Sequence, residues 1–250
     1  MKSKPAKKRL DLLLVERGIA ESVAKAQAMI LAGEVRTDGK PAVKAGMSVK
    51  EDVRVDVISR AQKYASRAGF KLEGALGDFS IDPAGRVCLD VGCSTGGFTD
   101  CLLQKGASSV YAVDVNVGQM AWKLQRDSRV IRIERNARAL LPEDLPEFVD
   151  LAVADVSFIS VAKVLRPVSA LVKPGSDLLI LVKPQFELPK ESVPAGGIVR
   201  DPALHEKAIA AVHAVALAAG LEVLGTRPSH LFGAEGNLEY FLHARKKTLG

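Results

Sequence analysis

Val87-Cys-Leu-Asp-Val-Gly-Cys-Ser-Thr-Gly-Gly-Phe98 reads as a buried strand that turns on glycines directly into a helix. A short apolar run closed by turn residues is the pattern of a strand covered on both faces. Working outward, comparable runs recur at 110–114, 130–133, 151–155, 178–182, 221–224 and 239–243, with helical segments between most of them. Strands that alternate with helices specify an α/β domain with a doubly wound, mainly parallel, seven-stranded sheet. Ligands of such sheets bind beyond the carboxyl ends of the strands, so the residues just after each run are the candidates for chemistry.

In the opening loop, Gly92, Gly96 and Gly97 let the backbone approach a ligand, and the following helix start offers free N–H groups. The spacing is neither the GxGxxG of a pyrophosphate clamp nor a P-loop. At the end of the second strand, 22 residues beyond Gly92, Asp114 stands where an acidic side chain takes the ribose hydroxyls of a nucleoside cofactor. Loop and acid together resemble the S-adenosylmethionine site of class I methyltransferases. The resemblance implies Asp90, Gly92, Ser94, Gly96, Gly97, Phe98, Asp114 and Asp155 as cofactor-binding residues.

Charge divides the chain. Residues 1–71 hold 16 Lys/Arg against 8 Asp/Glu, whereas residues 72–250 hold 19 against 21, which together give the net +6. A small unit that meets a polyanion, joined to a nearly neutral body, follows from that asymmetry. Its elements are legible: RLDLLLVER carries leucines at helical spacing and stops at Gly18, Ser22 caps a second helix that stops at Gly33, and Asp38-Gly39 marks a hairpin before the alternating strand Val-Arg-Val-Asp-Val at 53–57. Helix, helix and small sheet in that order resemble the αL RNA-binding domain first known from a small-subunit ribosomal protein. The resemblance implies that Arg9, Arg17, Lys25 and Arg36 contact folded RNA through its phosphates. The expected division is 1–60 for this α+β unit, 61–64 as linker and 65–250 for the α/β domain.

Four residues point to the methyl acceptor. Lys71 precedes the first strand in SRAGFKLE, Asp155 ends the fourth in VADVSF, Lys183 ends the fifth in LVKPQFE, and Glu239 opens the last in GNLEYF. Two lysines and two carboxylates at one sheet edge resemble the Lys-Asp-Lys-Glu set of FtsJ-type ribose 2′-O-methyltransferases. With the αL unit in front, and with SRAGFKLEGAL, DVGCSTGGFTD, DVSFIS, VKPQFE and GNLEYF in order, nearly the whole chain resembles the TlyA family. That resemblance implies a ribosomal RNA or ribosomal subunit as partner and a cytidine ribose as substrate. The short end after Glu239 is similar to members that act on the large subunit alone.

Chemistry selects the same residues. A ribose hydroxyl becomes a nucleophile when a base takes its proton, and a lysine serves only if its pKa falls from about 10.4 toward about 7 to 8. Lys183, with Lys71 nearby, is the expected base, and Asp155 and Glu239 hold the lysines. No metal is expected. Cys88, Cys93 and Cys101 form neither a disulfide framework nor a CxxC site, and His205, His213, His230 and His243 have no ligand spacing. Trp122 and Phe158 are expected to be packing residues. The Pro- and Gly-rich stretch 184–202 is expected to be a mobile cover.

The basic N-terminus lacks an apolar h-region, and the longest apolar stretch, 208–221, is too short to span a bilayer. A cytoplasmic protein without membrane association or an obligate protein partner is therefore expected. Some family members carry the name haemolysin, which leaves a membrane-active protein as one rival reading and a non-catalytic ribosome-assembly factor as another.

Overall fold

The computed structural model describes residues 7–20, 22–31, 33–42, 44–57, 63–233 and 235–248. The chain divides into two compact units, Met1–Lys63 and Tyr64–Gly250.

In the smaller unit, β1 (Lys7–Arg9) leads into α1 (Leu10–Glu16), followed by α2 (Val23–Leu31), β2 (Val35–Thr37), β3 (Lys40–Pro41), β4 (Ser48–Lys50) and β5 (Val55–Val57). β1 pairs antiparallel with β4, and β3-β2-β5 form a second sheet. The two-residue turn between β2 and β3 has positive φ at both Asp38 (49°) and Gly39 (76°), the backbone that matches the twist of a tight hairpin. Leu10, Leu13 and Leu14 of α1 close on Ala26 and Ile30 of α2 and on Val35 and Val49, so helical periodicity supplies the core.

The larger unit contains α3 (Ala68–Asp78), β6 (Val87–Val91), α4 (Gly97–Gln104), β7 (Ser109–Asp114), α5 (Trp122–Gln125), β8 (Val130–Glu134), β9 (Val149–Ala154), α6 (Ala162–Ala170), β10 (Val172–Val182), α7 (Pro184–Glu187), α8 (Pro202–Ala218), β11 (Leu221–Pro228) and β12 (Tyr240–Lys246). The seven strands lie in the order β11-β12-β10-β9-β6-β7-β8. Side chains alternate between the two faces. Leu89, Val91, Ala152, Ala154 and Ile180 pack under α6 and α8. Cys88, Val110, Leu151, Val153 and Leu179 pack under α3 and α4.

β12 runs antiparallel to both of its neighbours, and Tyr240 pairs with Val182. The reversal brings the start of β12 to the carboxyl end of β10, which places Glu239 beside Lys183 although 56 residues separate them in sequence.

Some expectations change. Tyr64, assigned to the linker, is 1% exposed, and its ring lies edge-on to Phe70 at 5.2 Å and covers Gly69, so it belongs to the larger unit's core. Residues 58–62 of the expected junction lie outside the described residues. Trp122 and Phe158 are 66% and 88% exposed and are not packing residues. The stretch 184–202 is pinned rather than loose: Leu188 and Val199 are buried with Ala208, the Val199 N–H donates to Asn237 Oδ1 (2.9 Å), and Asn237 Nδ2 donates to the Gly197 carbonyl (2.9 Å).

Candidate active site

The loop after β6 approaches the loop after β9 because residue 92 has no side chain. A Cβ on Gly92 would meet the Asp155 carbonyl oxygen at 2.3 Å, and φ there is +82°. Asp114 ends β7 and accepts from Ser94 N–H (2.9 Å) and Asn116 N–H (3.0 Å). Gly92, Ser94, Asp114, Asp155 and Ser157 border a cavity of about 410 Å³. A smaller recess of about 150 Å³, lined by Ser66, Ala68, Thr95 and Gly97 among others, adjoins it at Gly92, Ser94, Asp155 and Ser157.

The site residues read from the loop do not all face these cavities. Gly96 has φ +91° and begins the helix, with its α-carbon against Leu124. The Phe98 ring sits in the core 6.0 Å from that of Phe241, although the residue borders the recess. Asp90 lies under the loop, fully buried. Its Oδ2 accepts from Thr99 Oγ1 (2.6 Å), while Oδ1 has no partner. Burial pushes its carboxyl up to about 7, and the charges of Asp155 and Asp114 push the same way.

A third cavity, about 280 Å³, is lined by Arg67, Lys71, Ser157, Phe158, Lys183 and Glu239 among others. Lys71 Nζ lies 2.5 Å from Glu239 Oε2, and Lys183 Nζ lies 2.5 Å from Asp155 Oδ1. The contact with Asp155 is one of charge without hydrogen-bond geometry; the directed bond of Lys183 goes to Ser157 Oγ at 2.8 Å. Lys71, Lys183 and Glu239 are all buried. The structure thus brings the four residues together as two lysine–carboxylate pairs, so each lysine is paired with an acid rather than set against the other lysine. A neutral set of this kind can hold a polar hydroxyl without leaving an uncompensated buried charge.

Sequence reasoning missed two residues inside motifs it had quoted. Ser157 of DVSFIS borders all three cavities and so stands where they meet. Glu187 of VKPQFE accepts from Ser160 Oγ (2.6 Å) and Val161 N–H (2.8 Å), which ties the segment after Lys183 to the segment after Asp155. Burial raises its carboxyl pKa. Phe158, with φ +66°, reaches toward Phe186 across the same seam, ring centroids 5.6 Å apart. The order of polar residues within each motif was the available signal, since carboxylates and hydroxyls seldom follow a buried strand without partners.

An FtsJ-like methyltransferase model matches residues 64–246, and an S4 domain model matches residues 8–55. The 16S/23S rRNA (cytidine-2′-O)-methyltransferase TlyA of Mycobacterium tuberculosis is 47% identical over 96% of this chain and 90% of its own length. The chain belongs to the TlyA family of FtsJ-like methyltransferases. Hemolysin A of Brachyspira hyodysenteriae is 40% identical over 94% of this chain and 98% of its own length. The solved structure described as a putative hemolysin from Streptococcus thermophilus superposes with a TM-score of 0.76 at 36% identity, over 98% of this chain and 90% of that one. No helix among the described residues is long and apolar enough to cross a membrane, and among those residues no group of three or more His, Cys, Asp or Glu is placed to hold a metal ion.

In the S4 unit, the four basic residues implied by the sequence resemblance separate into two kinds. All four are exposed, but Arg9 and Arg17 also have partners within the unit. Arg9 is paired with the buried Asp11 (2.7 Å), whose carboxyl is held down at about 2 by the hydrogen bonds from Arg9 and from Gln27. Arg17 donates to the carbonyls of Val53 (2.8 Å) and Glu51 (2.6 Å). Both arginines are engaged within the unit: Arg9 compensates a buried carboxylate, and Arg17 satisfies backbone carbonyls.

Proposed function

We propose that the protein transfers a methyl group from S-adenosylmethionine to the 2′-oxygen of a cytidine ribose in ribosomal RNA of the large subunit, in the cytoplasm. The observation that carries the reading is the cavity lined by the Lys71–Glu239 and Lys183–Asp155 pairs, which meets the glycine-loop cavity at Ser157. The name of the M. tuberculosis relative, which includes both 16S and 23S rRNA, supports a ribosomal RNA cytidine as substrate, and that of a Campylobacter jejuni relative, a 23S rRNA (cytidine-2′-O)-methyltransferase, supports the large subunit.

The residues present suit the cofactor: Gly92 leaves room for close approach, and Asp114 offers carboxylate oxygens at the strand end. Gly92, Ser94, Asp114 and Asp155 would hold it. When bound, it supplies an electrophilic methyl carbon on a sulfonium that leaves as a neutral thioether. Lys183, Asp155 and Ser157 orient the ribose oxygen and take its proton at the Lys183–Asp155 pair as the O–CH₃ bond forms. Lys71 and Glu239 line the same acceptor cavity and balance each other's charge. In-line transfer from an activated donor depends chiefly on holding the two reacting atoms in register.

Mapping ribose methylation in ribosomal RNA from cells with and without the protein tests the reading. One cytidine 2′-O-methyl group should disappear; loss of a base methyl group, or no loss at all, would refute it.

A further inference from the structure

Arginine recurs at every third position through β8 and its flanks: Arg126, Arg129, Arg132, Arg135 and Arg138, all five exposed. Residues 122–138 hold six Lys/Arg against two Asp/Glu, whereas the remainder of 72–250 holds 13 against 19. The positive charge of an otherwise acidic stretch is thus gathered on one border. β8 is the last strand of the sheet, so this border is an open edge. Arg129 precedes the strand and Arg135 follows it, which spreads the row over a distance on the order of 20 Å.

Two features separate the row from a merely solvated edge, where charge serves to prevent pairing with another sheet. Trp122 is 66% exposed at the start of α5, with the Arg126 guanidinium 4.0 Å from its ring centre. Leaving the chain's one tryptophan in solvent forgoes burial of a large apolar surface, and a flat ring backed by a cation is a platform for a nucleobase. Arg135 also borders the glycine-loop cavity. The row therefore leads to the rim of the proposed methyl-donor site.

We infer that the β8 edge, with Arg126, Arg132 and Arg138 on phosphates and Trp122 against a base, is an RNA-contact surface of the methyltransferase unit, additional to the S4 unit. This rests on the proposed function for the identity of the polyanion. The partners of these arginines do not oppose it. Arg132 meets the Gln125 amide oxygen at 3.3 Å and Arg138 meets Asn136 Oδ1 at 3.4 Å, neutral contacts that a phosphate would displace. The exposed pair Arg129–Asp127 is worth little in water and is left out of the assignment.

The full chain is titrated with deproteinised 23S ribosomal RNA at several salt concentrations, as wild type and as Arg126→Gln/Arg132→Gln/Arg138→Gln. Each lost phosphate contact removes about 0.7 to 0.9 from the slope of log K against log salt, so the triple variant should show a slope shallower by about 2 and affinity at least tenfold weaker. In wild type, RNA should shield Trp122 from acrylamide quenching, a neutral probe indifferent to the arginines. Cofactor binding and melting temperature should match in the two proteins; if the triple variant melts early, Arg126→Glu alone, a charge reversal beside Trp122, replaces it. An unchanged slope, or a tryptophan equally quenched with and without bound RNA, overturns the inference even if wild type methylates ribose. Absence of RNA methylation by a wild type that still shields Trp122 would instead overturn the proposed function.

Discussion

Lys183 follows a strand whose last six residues are buried, and its Nζ lies 2.5 Å from Asp155 Oδ1 and 2.8 Å from Ser157 Oγ. If it takes the ribose proton, Lys183→Ala should lower the methyl-transfer rate by about 10² to 10⁴ while cofactor and RNA still bind. Lys183→Arg should not restore the rate, because a guanidinium stays protonated. An active arginine variant would reduce the residue to a fixed cation. Asp90 makes a separate prediction. Its ordinary value is 3.8 and burial pushes it up to about 7, so between those values the folded protein keeps a proton that the unfolded chain has lost. The stability from that protonated form is complete below about pH 4 and is lost as pH rises through 7, an effect of roughly a few kcal/mol. Wild-type melting temperature should therefore fall more steeply from pH 5 to 8 than that of Asp90→Asn; parallel curves would mean that the carboxyl is ionised throughout. The sequence marked Lys183 through its place after an apolar run and marked Asp90 as a cofactor ligand. It could not show that Asp90 points under the loop, because alternation along β6 becomes a direction only once the two helical layers are known.

Among the elements, the strands were legible and the segments between them less so. β6 spans the residues read from the sequence, since a run buried on both faces has abrupt ends. β10 begins at Val172, well before the apolar run at 178, because Lys173, Gly175 and Asp177 break the apolar pattern without breaking the strand. The anchoring of 184–202 was hidden because it depends on Asn237, buried to 1% and distant in sequence. The seam between DVSFIS and VKPQFE is likewise a long-range feature, with Glu187 at its centre. Glu187→Ala leaves Ser160 Oγ and Val161 N–H without their acceptor and frees the two segments that carry Asp155 and Lys183. Turnover should fall on the order of 10- to 100-fold, as misplacement of reacting groups does, while the Michaelis constant for the cofactor stays within about twofold. Glu187→Gln, which keeps an acceptor, should recover part of the loss. Equal damage to turnover and cofactor affinity would mark Glu187 as a general folding residue instead.

At the scale of the molecule, the charge asymmetry located the small RNA-binding unit, but net charge does not say which cations are available to a partner. Arg9 and Arg17 contribute to the excess of residues 1–71 and yet are engaged with Asp11 and with the Glu51 and Val53 carbonyls. All four are exposed, but Lys25 and Arg36 have no such side-chain partner among the described residues. The two kinds should separate on mutation. Lys25→Ala/Arg36→Ala should weaken RNA binding and make its salt slope shallower by about 1.5, with melting and cofactor affinity unchanged. Arg17→Ala should instead lower the stability of the unit by roughly 1 to 3 kcal/mol, since it removes a charged donor from two carbonyls, and should weaken RNA binding only as far as the unit unfolds. Melting curves and salt-dependent binding of the two variants in parallel check this: an Arg17→Ala protein that melts like wild type and loses RNA at every temperature would return Arg17 to the contact surface. The slopes also apportion the interface. If removal of Lys25 and Arg36 left most of the wild-type salt dependence, the remaining phosphates would have to meet the larger unit, where the β8 edge gathers its exposed arginines.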